Sequence, residues 1–294
     1  MFRIGILGSD NSHAEIFSKI INFPDPVTGE YVYPDCKVVG IFGLEKERTE
    51  QVARDGGIEF ISKTPKDLMG KVDAVMTVFR HGDLHLPYAL PFIEAGIPTW
   101  IDKPFTVKTE DARRIIEIAR KRGTLIDGGS TTKHTYDTLM LKQEVQEGSR
   151  IGRVKTAVLN FPADVDSEYA GIHFYGPHLT EITLATFGYN PKSVIASMTG
   201  DCVTAILKYD NYQVIMNFIK GHNEYYAILY GEKGTIIREI DISITYKHGL
   251  EKFINMLRTN KMPMTFEQLY APVEVLNSIE EAYKTNKEVK IKSL

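Results

Sequence analysis

The chain has 294 residues, too many for one small core and suited to two domains, with 43% hydrophobic and 25% charged residues and a formal net charge of -3. That balance gives no electrostatic reason to expect nucleic acid as a partner and points to a small molecule. Two distant cysteines, Cys36 and Cys202, suggest neither a disulfide framework nor a zinc site, and no stretch has the length to span a bilayer, so a reducing cytoplasm without a membrane partner is expected.

The chain begins with an apolar strand, FRIGILG, that runs into GSDNSHAE, Gly8 to Glu15. A strand, a glycine and a helix start are the parts of a dinucleotide-binding turn, in which glycines make the turn, admit the pyrophosphate and let the helix pack closely. Gly8 supplies the first glycine, whereas Asp10 and His13 occupy the other two positions. Ser12 followed by Glu15 reads as a capping box for a helix over 13–21, whose free N–H groups and dipole end can hold phosphate. Gly8, Ser9, Asp10, Asn11, Ser12 and His13 are therefore candidate cofactor residues, and Asp10 decides the matter by where its carboxylate turns.

From residue 2 to 127, short β-branched runs (CKVVGIFG, DAVMTVF, TWID and TLIDGG after the first) alternate with helical patterns at 45–55, 84–95 and 109–122, the sequence form of repeated βαβ units on a parallel sheet. The second strand ends at Gly43, where an acid would bind the adenosine ribose, with Glu45, Lys46 and Arg48 beyond it. An uncharged strand end beside bases leaves NADP at least as open as NAD. The segment Asn22 to Asp35 breaks the rhythm and reads as an ordered surface loop, either a lid or decoration.

Arg80 and His81 follow the third strand, His85 lies at the next helix start, and Asp102-Lys103-Pro104 closes the fourth strand, at the sheet edge where open α/β folds bind ligands. From about residue 150 strands follow one another with tight turns, so a mostly antiparallel open sheet is expected, closed by helices near 248–259 and 267–285. The predicted fold is thus an α/β Rossmann-type domain over 1–127 and an α+β domain over 128–294, its closing helices able to pack back on the first.

With these elements around it, the Asp-Lys-Pro stretch resembles the signature of the Gfo/Idh/MocA family of NAD(P)-dependent oxidoreductases, and the resemblance extends through GIHFYGPHLTEI to the last helices. It implies a dinucleotide domain, a substrate domain whose sheet pairs subunits into a homodimer or homotetramer, and hydride transfer at a hydroxyl or ketone of a sugar, polyol or related metabolite. By the same resemblance Lys103 sits beside nicotinamide and substrate, with Asp102 and Pro104 around it, and His178 is the acid/base or substrate ligand. Chemistry gives the lysine a reason: alcohol oxidation needs a base at the hydroxyl, and a nearby nicotinamide cation disfavours the ammonium.

The family pattern has an aspartate four residues before that histidine; here the position holds Phe174. Glu181, three residues beyond His178, is the expected replacement helper, with His173 and Tyr175 as further substrate contacts. The polar run Ser130 to His134 is either a substrate contact or a plain loop, and no cluster has metal-ligand spacing. Against the enzyme stands a non-catalytic ligand-binding or regulatory protein, supported by the missing glycines, Gly43 and Phe174.

Overall fold

A computed structural model describes residues 1–146 and 150–294, which fall into two compact units. The first comprises Met1–Thr106, Asp111–Gly128 and Gly249–Met264. Its elements are β1 (Phe2–Leu7), α1 (Ser12–Asn22), β2 (Cys36–Phe42), α2 (Lys46–Asp55), β3 (Phe60–Ile61), β4 (Ala74–Thr77), α3 (His85–Glu94), β5 (Thr99–Ile101), α4 (Thr109–Arg122) and β6 (Ile126–Gly128). The six strands pair in parallel in the order β3-β2-β1-β4-β5-β6. The central strands β1, β2 and β4 bury apolar residues on both faces, among them Ile4, Ile6, Val38, Ile41, Ala74 and Val75, as a sheet covered by helices on both sides requires.

Trp100 on β5 lies edge-on to Phe17 of α1, ring centroids 6.2 Å apart, and to Phe253, 5.9 Å apart. That second contact is why residues 249–264 belong to this unit although they follow the second sheet in the chain. Arg258 in the same stretch donates from Nε to Asp35 at 2.8 Å. Asp35 ends the Asn22–Asp35 segment, which forms an ordered turn: the Gly29 N–H donates to the Asp25 carbonyl at 2.8 Å, and Pro24 bridges Tyr31.

The second unit comprises Val107–Glu110, Gly129–His248 and Thr265–Leu294. It carries α5 (Tyr136–Gln146), β7 (Val154–Phe161), α6 (Gly176–Phe187), β8 (Ser193–Thr199), β9 (Cys202–Lys208), β10 (Gln213–Ile219), β11 (Tyr226–Gly231), β12 (Thr235–Glu239), the helix α7 (Thr245–Thr259) that crosses into the first unit, α8 (Phe266–Thr285) and β13 (Val289–Lys290). The strand order is β12-β11-β7-β10-β9-β8-β13, antiparallel except for β7 beside β10. The fold class read from the sequence is therefore observed, with one parallel pair inside the second sheet.

Strict alternation in β9 and β10 buries one face, including Val203, Ala205, Leu207, Val214, Met216 and Phe218, in a core with Leu179 and Ile182 of α6 and Val275 and Ile279 of α8. The opposite face carries a transverse row, Ile195–Ile206–Ile215–Val158–Ile228–Ile237, each residue directly opposite the next across six strands. Beside it runs Ser197–Thr204–Asn217–Asn160, where Thr204 donates to Asn217 at 2.9 Å and Asn217 to Asn160 at 2.8 Å.

Candidate active site

The first loop keeps the turn that its single glycine makes possible. Gly8 has φ +108°, and a Cβ there would lie 2.7 Å from the Phe79 backbone nitrogen, so both conformation and space demand glycine. The cap of α1 is Asn11, one residue before the serine read as the cap; its side chain accepts from the His13 N–H at 3.3 Å. Glu15 does not close a capping box but binds Lys19 at 2.7 Å and Arg48 at 3.3 Å. Asp10 is turned into the protein, its Oδ2 accepting from the Arg80 backbone N–H at 3.1 Å. The loop thus presents a helix N-terminus without a carboxylate projecting freely across it, which fits a pyrophosphate.

His13, at the third glycine position, is buried and ion-paired through Nδ1 to the buried Asp102 of the Asp-Lys-Pro motif, and Asn11 Nδ2 lies 3.5 Å from the same oxygen. Burial would raise the Asp102 carboxyl; the His13 imidazole and the Lys103 ammonium outweigh it and hold it below the usual carboxylate range. Next to it Lys103 is 4% exposed, and burial pushes it down to about 8, with Asp102 pulling up and Arg80 pushing further down. The Lys103–Pro104 peptide bond is cis.

His85, expected near the cofactor, is fully buried with Nδ1 2.7 Å from the Pro104 carbonyl and Nε2 2.9 Å from the Phe79 carbonyl. Both ring nitrogens face main-chain carbonyls, one of which a neutral ring can hold through its single N–H, so the residue packs behind the Lys103-Pro104 turn, and burial lowers its pKa. His81 caps the short turn before α3, Nδ1 accepting from the Asp83 N–H at 3.3 Å. At Gly43 a Cβ would sit 2.1 Å from the Ser9 hydroxyl and 2.2 Å from that of Thr49, which bond each other at 2.8 Å. A side chain there would have to displace both hydroxyls, and Arg48 anchors to the Ser9 carbonyl at 3.2 Å.

In the second unit His178, at the start of α6, packs on Phe161 (centroids 5.5 Å apart) and Tyr175 (5.1 Å). Its Nδ1 lies 2.7 Å from Ser130 Oγ. Glu181, expected to orient His178, instead accepts from the Ser130 N–H at 3.1 Å and from Lys133 Nζ at 3.1 Å, all three residues being buried. The helix phase does bring Glu181 to the same face, but the lysine competes for it. Burial raises the Glu181 carboxyl, opposed by Lys133. His173 is 3% exposed and binds Glu280 at 3.1 Å, which ties the turn before α6 to α8, while Tyr175 is 41% exposed. The polar run after β6 therefore holds the partner that sequence reasoning left undecided: Ser130 stands next to His178. Among the described residues no group of three or more His, Cys, Asp or Glu is arranged to hold a metal.

Residues 2–128 match the family model described as "Oxidoreductase family, NAD-binding Rossmann fold". That match lies over the first strand-and-helix domain and agrees with the resemblance carried by Asp102-Lys103-Pro104. Among curated relatives, the scyllo-inositol 2-dehydrogenase (NADP(+)) IolW of Bacillus subtilis is 22% identical over 89% of this chain and 73% of its own length. An uncharacterized oxidoreductase, YdgJ of Escherichia coli, is 25% identical over 53% of this chain, and the match spans only 51% of that relative. Among solved structures, a probable dehydrogenase from Thermotoga maritima superposes with a TM-score of 0.83 at 16% identity over 98% of both chains. A scyllo-inositol dehydrogenase from Lactobacillus casei, with bound NAD(H) and scyllo-inositol, gives 0.81 at 14% over 99% of both. At those identities the superpositions speak for the fold.

Proposed function

We propose that this protein is a Gfo/Idh/MocA-type NAD(P)-dependent oxidoreductase that exchanges hydride with a hydroxyl or ketone carbon of a sugar, polyol or related small metabolite, inositols included. The observation that carries the reading is the buried Lys103, at the C-terminal end of a parallel strand, with its pKa brought to about 8. Residues 1–127 are assigned the dinucleotide and 128–294 the substrate and subunit contacts. When bound, the nicotinamide supplies the hydride acceptor or donor. Lys103 Nζ, with ammonium and amine both populated near pH 8, takes the hydroxyl proton in one direction and returns it in the other. Asp102, fixed by His13, holds the motif's backbone, and His178 binds the substrate hydroxyl or shares its proton. Gly8, Ser9, Asn11 and the N-terminus of α1 receive the pyrophosphate.

The alternative, a binding protein without redox chemistry, is favoured by Gly43, where the second strand ends without a ribose-binding acid and the Ser9 and Thr49 hydroxyls fill the space. Titration with NADH and with NADPH, read by fluorescence and by thermal stability, separates the two. A ligand well above its dissociation constant must raise stability, so silence from both at millimolar concentration sinks the dehydrogenase. Given binding, turnover across a panel of polyols and their ketones is expected to fall about 100-fold or more in Lys103→Ala and in His178→Ala.

The isoleucine row supports self-association through the open sheet face, since a partly exposed stripe of β-branched residues beside a polar row is what a second copy would cover. A homodimer or homotetramer is expected, and Val158→Lys with Ile228→Lys should lower the mass measured by light scattering to that of one chain. Two free thiols, Cys36 and Cys202, suit a cytoplasmic setting. No helix among the described residues is long and apolar enough to cross a membrane.

A further inference from the structure

The residue that should orient His178 is missing from the sequence, since Phe174 stands at the family's aspartate, and Glu181 is engaged elsewhere. Three contacts decide what replaces it. Thr132 Oγ1 lies 3.2 Å from the His178 carbonyl, Ser130 Oγ lies 2.7 Å from Thr132 Oγ1, and His178 Nδ1 lies 2.7 Å from Ser130 Oγ. A fourth bond enters the same oxygen, the Thr132 N–H donating to Ser130 Oγ at 3.2 Å.

Each hydroxyl has one proton, so these contacts can be counted. A carbonyl only accepts, so the Thr132 hydroxyl proton points to His178 O. The Thr132 oxygen must then accept, and the Ser130 hydroxyl proton goes to it. Ser130 Oγ has no proton left for the imidazole and accepts from it. This arrangement makes all four bonds. If Ser130 donated to Nδ1 instead, either the 2.7 Å contact between the two hydroxyls would hold no proton, or Thr132 would turn away from the carbonyl and leave two oxygens facing each other at 3.2 Å. Both alternatives lose a bond and add a repulsive contact.

We infer that Ser130 and Thr132 form a hydroxyl relay that holds His178 in its Nδ1–H tautomer and makes Nε2 the proton-accepting nitrogen of the ring. The two are positioning residues that do the work of the absent aspartate without its charge. A carboxylate at Nδ1 fixes the same tautomer but also stabilises the imidazolium; a serine oxygen, itself a donor elsewhere, fixes the tautomer with far less pull on the charge. Ser130 and Thr132 are both buried, so water does not compete for these bonds. The relay begins and ends on the same residue, from the His178 ring to the His178 carbonyl, and so ties the side-chain orientation to the first turn of α6.

Its meaning for catalysis rests on the dehydrogenase reading, but the tautomer does not, and the test is built on that difference. Full-length protein labelled with 15N-histidine is examined by long-range 1H–15N correlation without cofactor, at a pH where the ring is neutral, the His178 signals being assigned by their loss in H178N. Wild type is expected to show the Nδ1–H pattern. In T132V the Ser130 proton has lost its acceptor and turns to the imidazole, so the Nε2–H pattern should appear; T132S should restore the original, and S130A should leave both forms populated. In turnover assays kcat/KM should fall about 100-fold in T132V and about 10-fold in S130A, with T132S near wild type. An Nε2–H wild-type ring overturns the inference, as does a T132V protein that retains Nδ1–H. Should no substrate be turned over by wild type, the NMR still decides the tautomer, so loss of the enzymatic reading and loss of the relay are told apart.

Discussion

Each unit buries one lysine beside one carboxylate, and the two pairs are built differently. In the second unit Lys133 and Glu181 face each other directly at 3.1 Å, and Glu181 also takes the Ser130 N–H. In the first unit Asp102 takes the His13 imidazole, and Lys103 is left next to an acid whose charge is already shared. The same residue types therefore yield a structural clamp in one place and a lysine at about 8 in the other. Both lysines are nearly completely buried, and the two carboxylates differ in the partners they take.

Breaking the clamp should have the largest effect. Lys133→Met strands the buried Glu181 carboxylate, and removing one partner of a buried pair costs about 3–5 kcal/mol, read as a lower midpoint in urea. Replacing both, Lys133→Met with Glu181→Leu, should recover much of that loss, because the desolvated charge is gone.

Lys103→Met should act in the opposite direction. The folded pKa of about 8 lies below the unfolded value near 10.5, so folding carries a cost from the ammonium that is full below pH 8 and relieved as pH rises to 10.5. The variant is expected to be more stable than wild type at pH 7 by up to about 3 kcal/mol, with the gap closing above pH 8. A constant gap across pH 7–11 would show that Lys103 is not depressed.

The smallest expected effect lies at Glu280, which His173 and Lys284 hold down to about 2. Here the sign is that of a depressed acid: the contribution is full above the unfolded value near 4.5 and lost as pH falls through about 2. With 28% of the side chain exposed, screening leaves about 1 kcal/mol, seen as a stability difference between wild type and Glu280→Gln at pH 6 that shrinks below pH 4.

Much of this molecule was legible from the chain alone. The alternation in CVTAILK and the apolar run FRIGIL carry their strands plainly, because period and face coincide. The two-residue strand β3 and the helix α5 carry no such periodicity and went unread. Asn11 and Ser12 are both good caps, so local pattern could not rank them; the structure selects Asn11. The pairs that define the site, His13 with Asp102 and Lys133 with Glu181, lie 89 and 48 residues apart, a separation at which spacing carries no signal. Glu181 was correctly placed on the histidine's face by helical phase, yet a lysine from another loop claims it.

The bond between His13 and Asp102 also bears on how such a loop can arise. A glycine at position 13 would leave the buried Asp102 carboxylate without its imidazole partner, and a glutamate at position 102 would carry its carboxylate one methylene further, into the space the imidazole fills. Either change alone breaks that contact. The histidine of the first loop and the aspartate of the motif thus act as one buried joint, and a change at either place is expected to be felt at the other.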